Sequence, residues 1–201
     1  MKKILVLTYI FIFPLLVLSQ TLDEKLKEID DYANAVMTTH KAAAAGMAIA
    51  IVKDDKVAFA KGYGLRELGK SDPVDQNTVF AIASNSKAFT AAALAILVDE
   101  KKLAWDDKVS KYLPGFQMYD PWVTSELTVR DLVSHRVGLD TFSGDLLWYE
   151  TTYSTDEILN RLRYLKPVSS FRTRYGYQNL MFIAAGRVVE KVSGKPWCDF
   201  V

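Results

Sequence analysis

From Ala88 to Val98 the chain reads AFTAAALAILV, with Thr90 the one polar residue of the run. Wound as a helix, these side chains cover nearly the whole circumference. A helix that is apolar all round belongs inside a structure, with other elements packed against every side. Its alanines favour helix and let neighbours come close. A helix over 84–99 is therefore expected to be the centre of whatever this chain builds. Its start is out of keeping with that role: FAIASNSKAFT places Ser84, Asn85, Ser86 and Lys87 at the mouth of the apolar run.

The elements around it follow from periodicity and punctuation. Leu22, Leu26, Ile29, Tyr32, Ala33 and Val36 share one face of a helix over 22–37. Two β-rich runs, 46–53 and 57–63, flank Asp54-Asp55 and predict a hairpin. Thr128 caps a short helix, TVRDLVSH, with Asp131 as its capping-box partner and Gly138 as its stop. Residues 140–154 read as a loop with Trp148 and Tyr149 as aromatic anchors. Ser154 or Thr155 starts a further helix, DEILNRLRYL, which Pro167 ends. A last helix runs from Asn179 to Lys191 and stops at Ser193-Gly194. The order is one helix, one hairpin and a mostly helical remainder. A two-stranded hairpin is marginal alone, so the sheet is expected to be incomplete, with the chain part of a longer protein or its partner strands coming from elsewhere.

Half of the 201 residues are hydrophobic and 24% are charged, a balance that excludes a disordered chain. The formal charge is +1, with no block of like charge to suggest a nucleic-acid face. Lys2 and Lys3 precede ILVLTYIFIFPLLVLS, which reads as a secretory signal peptide over 1–19, cleaved after Ser19. The alternative is a retained anchor, the only route to a membrane. Cys198 is the sole cysteine, so no internal disulfide forms. It either pairs with another chain or is a small buried hydrophobe, and PWCDFV suits the second. His40 and His135 stand far apart without clustered ligands, so no metal site is expected.

Ser84 and Lys87 are three apart and share a helix face. A serine hydroxyl needs an adjacent base to act as a nucleophile. A desolvated lysine loses its proton more readily and can take the hydroxyl proton, and the Ser84 amide could face a developing oxyanion. The bland alternative is an N-cap serine with a lysine reaching for water. The second polar cluster is RTRYGYQN, ahead of another apolar helix. Tyr177 could relay a proton and Asn179 bind a carbonyl or hold the lysine, with Arg174 and Tyr175 as competing candidates.

Taken together, these segments resemble the serine β-lactamase and penicillin-binding-protein-like hydrolases, in the branch of class C β-lactamases, D-Ala-D-Ala carboxypeptidases and esterases. SNSK at 84–87 matches the Ser-x-x-Lys motif that opens the family's central helix. TVRDLVSHRVGL resembles its T-x-x-x-L-L-x-H-x-S-G-L segment, with Val137 in place of a small polar residue. YGYQN resembles its Tyr-x-Asn segment, with Gln178 where serine or alanine is commoner. The resemblance implies an α+β fold: an antiparallel sheet flanked by helices, incomplete here, beside a helical lobe. It implies an N-terminal portion over 20–201, with 20–80 in the α/β lobe and 81–201 in the mostly helical lobe. The family's third motif, Lys/His-x-Gly on a C-terminal strand, has no match. By resemblance Ser84 is the nucleophile, Lys87 and Tyr177 move its proton, and Asn179 binds substrate. No cofactor or metal is implied. The partner is a small-molecule or peptide substrate, D-amino-acid or cell-wall peptides among them, and the location periplasmic or extracellular. A non-catalytic envelope binding protein or an inactive fragment are the alternatives.

Cleavage after Ser19 removes Lys2 and Lys3 and takes the net charge from +1 to −1. N-terminal sequencing of protein expressed from its native gene should begin at Gln20, and a chain beginning at Met1 would establish retention instead.

Overall fold

The computed structural model describes residues 20–39 and 45–201. The expected leader and His40 lie outside them. The fold is α+β, and the chain divides after Ala81 into two units.

In the first unit, α1 (Leu22–Thr39) precedes a hairpin of β1 (Gly46–Lys53) and β2 (Lys56–Gly64). Asp54 and Asp55 both take positive φ, 50° and 58°, at the turn. That geometry matches the right-handed twist of the strands, and aspartate tolerates it better than most residues. Asp30 on α1 ties helix to sheet. It accepts from Lys61 Nζ at 2.6 Å and from Tyr63 Oη at 2.8 Å. Burial, and then the Asp30 carboxylate, push Tyr63 up to about 12. Met47, Ile49 and Ile51 are half-buried on one face of β1, while Ala48, Ala50 and Val52 are exposed on the other. The described residues thus hold a two-stranded antiparallel sheet with one bare face.

The second unit holds α2 (Ser86–Asp99), α3 (Val109–Tyr112), α4 (Pro121–Glu126), α5 (Val129–Leu132), α6 (Thr155–Arg161), α7 (Asn179–Ser193) and α8 (Trp197–Phe200). α7 is its axis. Leu180, Met181, Ala184, Ala185, Val188 and Val189 are fully buried along it, against Leu94 and Leu97 of α2 and Leu132 of α5. Alanines at 184 and 185 let the helices approach closely. Gly194 ends α7 in the left-handed region, φ 73°, where a side chain would be strained. Trp197 Nε1 donates to Thr90 Oγ1 at 3.1 Å and pins α8 to α2.

Several expectations need correction. α2 begins at Ser86, and Ser84 lies in a 3₁₀ turn, Ala83–Asn85, ahead of it. α2 is not enclosed: Thr90, Ala93, Leu94 and Leu97 are buried, but Phe89 and Ile96 are about half exposed. Composition sets how apolar a helix is, whereas the neighbours present set which faces are covered. The helix at Thr128 stops at Leu132, since Val133 already leaves the helical region (φ −107°, ψ 11°), and the chain then turns at His135, φ 57°. Trp148 and Tyr149 are exposed rather than anchoring; Leu139 and Leu147 pack on the core instead. Cys198 is exposed on α8, not buried. Ser154 caps α6, accepting from Glu157 N–H at 3.2 Å, and the helix tightens into a 3₁₀ turn at Leu162.

The Thr128–Asp131 capping box forms as expected. Asp131 is 3% exposed, and Arg172 grips it with two hydrogen bonds, 2.9 and 2.6 Å. Burial pushes this carboxyl up, but Arg172 and Thr128 outweigh it and the net shift is downward. A carboxyl with a depressed folded pKa stabilises the protein above its unfolded value near 3.8, and that stability is lost as pH falls through the folded value. Asp131→Ala should lower stability by about 2–4 kcal/mol at neutral pH. The loss should begin to shrink below about pH 3.8, where the unfolded chain's carboxyl takes up its proton, and vanish once pH falls below the lower folded value. Urea unfolding at several pH values checks both.

Candidate active site

Ser84 is displayed by a strained turn. Ala83, just before it, has φ 45°, a left-handed conformation that an alanine adopts at a cost of about 1 kcal/mol. Asn85 Nδ2 steadies the turn by donating to the Ile82 carbonyl at 3.0 Å. Lys87, one turn on, points its Nζ back to Ser84 Oγ at 3.1 Å.

The second half of the site comes from the strap leading into α7. Four hydrogen bonds fix its backbone. Gly176 N–H donates to the His135 carbonyl at 2.8 Å, and Gln178 N–H to His135 Nδ1 at 3.0 Å. Tyr177 N–H donates to Thr141 Oγ1 at 3.2 Å, while its carbonyl accepts from Phe142 N–H at 2.9 Å. A side chain at 176 would meet the Leu139 carbonyl oxygen at 2.1 Å, so only glycine lets the strap lie this close. The His135 ring stacks on Tyr177 with centroids 4.6 Å apart and planes inclined by 21°. Burial, and then the charge of Lys87, push His135 below its ordinary pKa, and with Nδ1 accepting its proton sits on Nε2.

The packing of α2 on α7 brings the two halves together. Tyr177 Oη lies 2.6 Å from Ser84 Oγ, hydroxyl to hydroxyl. Lys87 Nζ donates to Asn179 Oδ1 at 2.6 Å and stands 4.8 Å from the centroid of the Tyr177 ring and 5.5 Å from that of Phe182. The cation beside it, and then the Ser84 hydroxyl, draw Tyr177 below the ordinary tyrosine range, against the opposing pull of burial and of Asp145. Ser84, Lys87, Tyr177 and Asn179, all singled out in the sequence, thus form one cluster. The rival candidates do not join it: Tyr175 is 62% exposed and turns its ring to His135, and Arg174 is exposed.

A cavity of about 330 Å³ opens beside Ser84, with Lys87, Asn179, Trp148, Phe182 and Ile183 in its wall. A roomier hollow of about 600 Å³ lies among residues 45–81, with no lysine or tyrosine beside a hydroxyl. Sequence reasoning missed Asp145, Trp148, His135 and Phe182 as members of the site. Phe182 was findable, because it stands one turn after Asn179 on the same helix face. Asp145 was not, since nothing in a loop sequence says where its carboxylate will point. The arrangement presents a hydroxyl to a tyrosine with a cation alongside, the parts needed to move a proton off a nucleophile.

In comparisons with known proteins, the sequence model described as Beta-lactamase matches residues 22–201. The unguisins hydrolase of Aspergillus campestris is 36% identical over 159 residues, 75% of this chain and 29% of that protein. Among solved structures, the octameric penicillin-binding protein homologue from Pyrococcus abyssi superposes with a TM-score of 0.73 at 26% identity, over 90% of this chain and 41% of that one. FmtA from Staphylococcus aureus gives 0.70 at 26%, over 89% of this chain and 46% of its own. The chain therefore spans less than half the length of each.

The lowered Tyr177 should be visible in ultraviolet difference titration. One tyrosine should ionise below the ordinary range, vanish in Tyr177→Phe, and move upward in Lys87→Met once the cation is gone.

Proposed function

This chain belongs to the beta-lactamase family, and from that premise we propose that it supplies the acylating half of a serine hydrolase acting on an amide, ester or β-lactam carbonyl. Ser84 Oγ attacks the carbonyl carbon as its proton passes to Tyr177 Oη. Lys87 lies beside the tyrosine and favours its phenolate form. As the tetrahedral intermediate collapses, the C–N or C–O bond breaks, the leaving group takes the proton back from Tyr177, and the acyl group stays on Ser84. Water then attacks the ester as the Tyr177 phenolate, kept in that form by the Lys87 cation beside it, takes its proton. When the tetrahedral intermediate collapses, the bond to Ser84 Oγ breaks, Tyr177 returns the proton to Oγ, and the acid leaves with Ser84 restored. Asn179 orients the lysine and offers its amide to the substrate. The observation that carries this reading is the placing of Ser84 Oγ within hydrogen-bond reach of both Tyr177 Oη, at 2.6 Å, and Lys87 Nζ, at 3.1 Å.

A small-molecule or peptide substrate, processed after export through the leader, agrees with this chemistry. A relative named for hydrolysing unguisins and a penicillin-binding protein homologue support that class without choosing a member of it.

Protein expressed from its native gene should gain one adduct mass with a fluorophosphonate, or with penicillin, and lose it in Ser84→Ala. Tyr177→Phe should slow the labelling by about 10²–10⁴-fold, as expected for loss of a general base. An unlabelled wild type would favour a non-catalytic binding protein of the same fold.

A further inference from the structure

Asn179 sits between opposite charges. Its Oδ1 accepts from Lys87 Nζ at 2.6 Å, and its Nδ2 donates to Asp145 Oδ2 at 2.8 Å. A carboxamide has one accepting and one donating end, so only one of its two orientations satisfies both neighbours. Turned over, it would set an NH₂ against an ammonium and a carbonyl against a carboxylate. The carboxylate is itself held. Asp145 Oδ1 accepts from Trp148 Nε1 at 3.0 Å. The turn that carries it closes through Asp145 N–H to the Phe142 carbonyl, 3.1 Å, and Tyr149 N–H to the Asp145 carbonyl, 3.0 Å. Each carboxylate oxygen thus has one assigned donor, and the chain Trp148–Asp145–Asn179–Lys87 ends at Ser84 Oγ.

We propose that Asp145 is a positioning residue for acyl transfer: its carboxylate locks the Asn179 amide with the carbonyl turned to Lys87, and so holds Lys87 Nζ where it reaches Ser84. The inference rests on the acyl-enzyme reading above. Asp145 touches no reacting atom. It acts through Asn179, which without it is free to turn and to withdraw one of the two acceptors that hold the lysine. Charge is what makes the lock strong, since a hydrogen bond to an ionised acceptor is roughly twice as strong as a neutral one. A role confined to tying the 145–148 turn to α7 would lower stability and leave the reaction at Ser84 untouched.

The test uses protein expressed from its native gene, with an alkyl fluorophosphonate as probe and intact mass as readout, resolved into the maximal labelling rate and the half-saturating concentration. Asp145→Ala should lower the maximal rate about tenfold or more, with half-saturation moved less than about twofold. Asp145→Asn keeps a neutral acceptor and should recover part of that rate. Trp148→Phe removes one donor to the carboxylate and should lower the rate by about two- to fivefold. On an Asn179→Ala background, Asp145→Ala should add nothing, because the path runs through Asn179. Wild-type labelling by Asp145→Ala overturns the inference. So does an equal loss on the Asn179→Ala background, and so does a change in half-saturation alone. If Asp145→Ala is insoluble, Trp148→Phe decides, and a wild-type rate there overturns the inference. A wild type that takes no label overturns the acyl-enzyme reading, and this inference falls with it. A labelled wild type confines any failure to Asp145.

Discussion

The hydrogen bond from Lys87 to Asn179 joins residues 92 apart in the sequence, and the second unit is arranged so that it can form. It requires α2 and α7 to pack along their apolar faces with their N-terminal ends side by side. Burying Leu94, Leu97, Leu180 and Met181 drives that packing, each contributing about 2 kcal/mol. The small residues Ala93, Ala184 and Ala185 let the backbones approach. Polar side chains at the ends of two apolar helices then meet with little freedom left to them, and the entropy of holding them in place is met by the helices rather than by the site.

Around that bond the site is built from unlike parts. The 3₁₀ turn with its strained alanine presents Ser84. The strap at 175–178, stitched to His135, Thr141 and Phe142, presents Tyr177. The 3₁₀ turn at 145–147 presents Asp145. His135 serves twice on the strap, through its carbonyl to Gly176 and through its ring to Gln178, while the ring face supports Tyr177. Behind these, the Asp131–Arg172 pair fastens the loop before the strap to the capped end of α5. Local strain, a close glycine and an ion pair with one buried partner therefore all serve to place two hydroxyls and one cation within reach of each other.

Much of this was legible in the chain. α1, the hairpin at Asp54-Asp55, the capping box at Thr128 and α7 with its Gly194 stop all arise from local periodicity and turn chemistry, which act over a few residues. Ser84, Lys87, Tyr177 and Asn179 could be singled out because polar groups at the head of apolar helices conflict with their surroundings. What was not legible depends on contacts distant in sequence. Trp148 and Tyr149 look like anchors by composition, yet Trp148 gives its indole N–H to Asp145 and stays at the surface. Cys198 sits in an apolar stretch and is still exposed, because α8 packs on the core through Trp197 and Phe200 instead. The part of α2 left bare, Phe89 and Ile96, is as apolar as the part that is buried.

The sequence by itself determined the type and approximate place of the main helices and the hairpin, and which polar side chains stand at the heads of apolar helices. Those properties follow from backbone propensity and side-chain chemistry within a turn or two. Only the tertiary structure decided that Tyr177 faces Ser84, that Asn179 lies between a lysine and an aspartate, and that Asp145 belongs to the site at all. These are matters of direction across distances the sequence does not encode locally. They are settled by how α2, α7 and the 145–148 turn pack, and by the electrostatic rule that an amide between a cation and an anion has one way to lie.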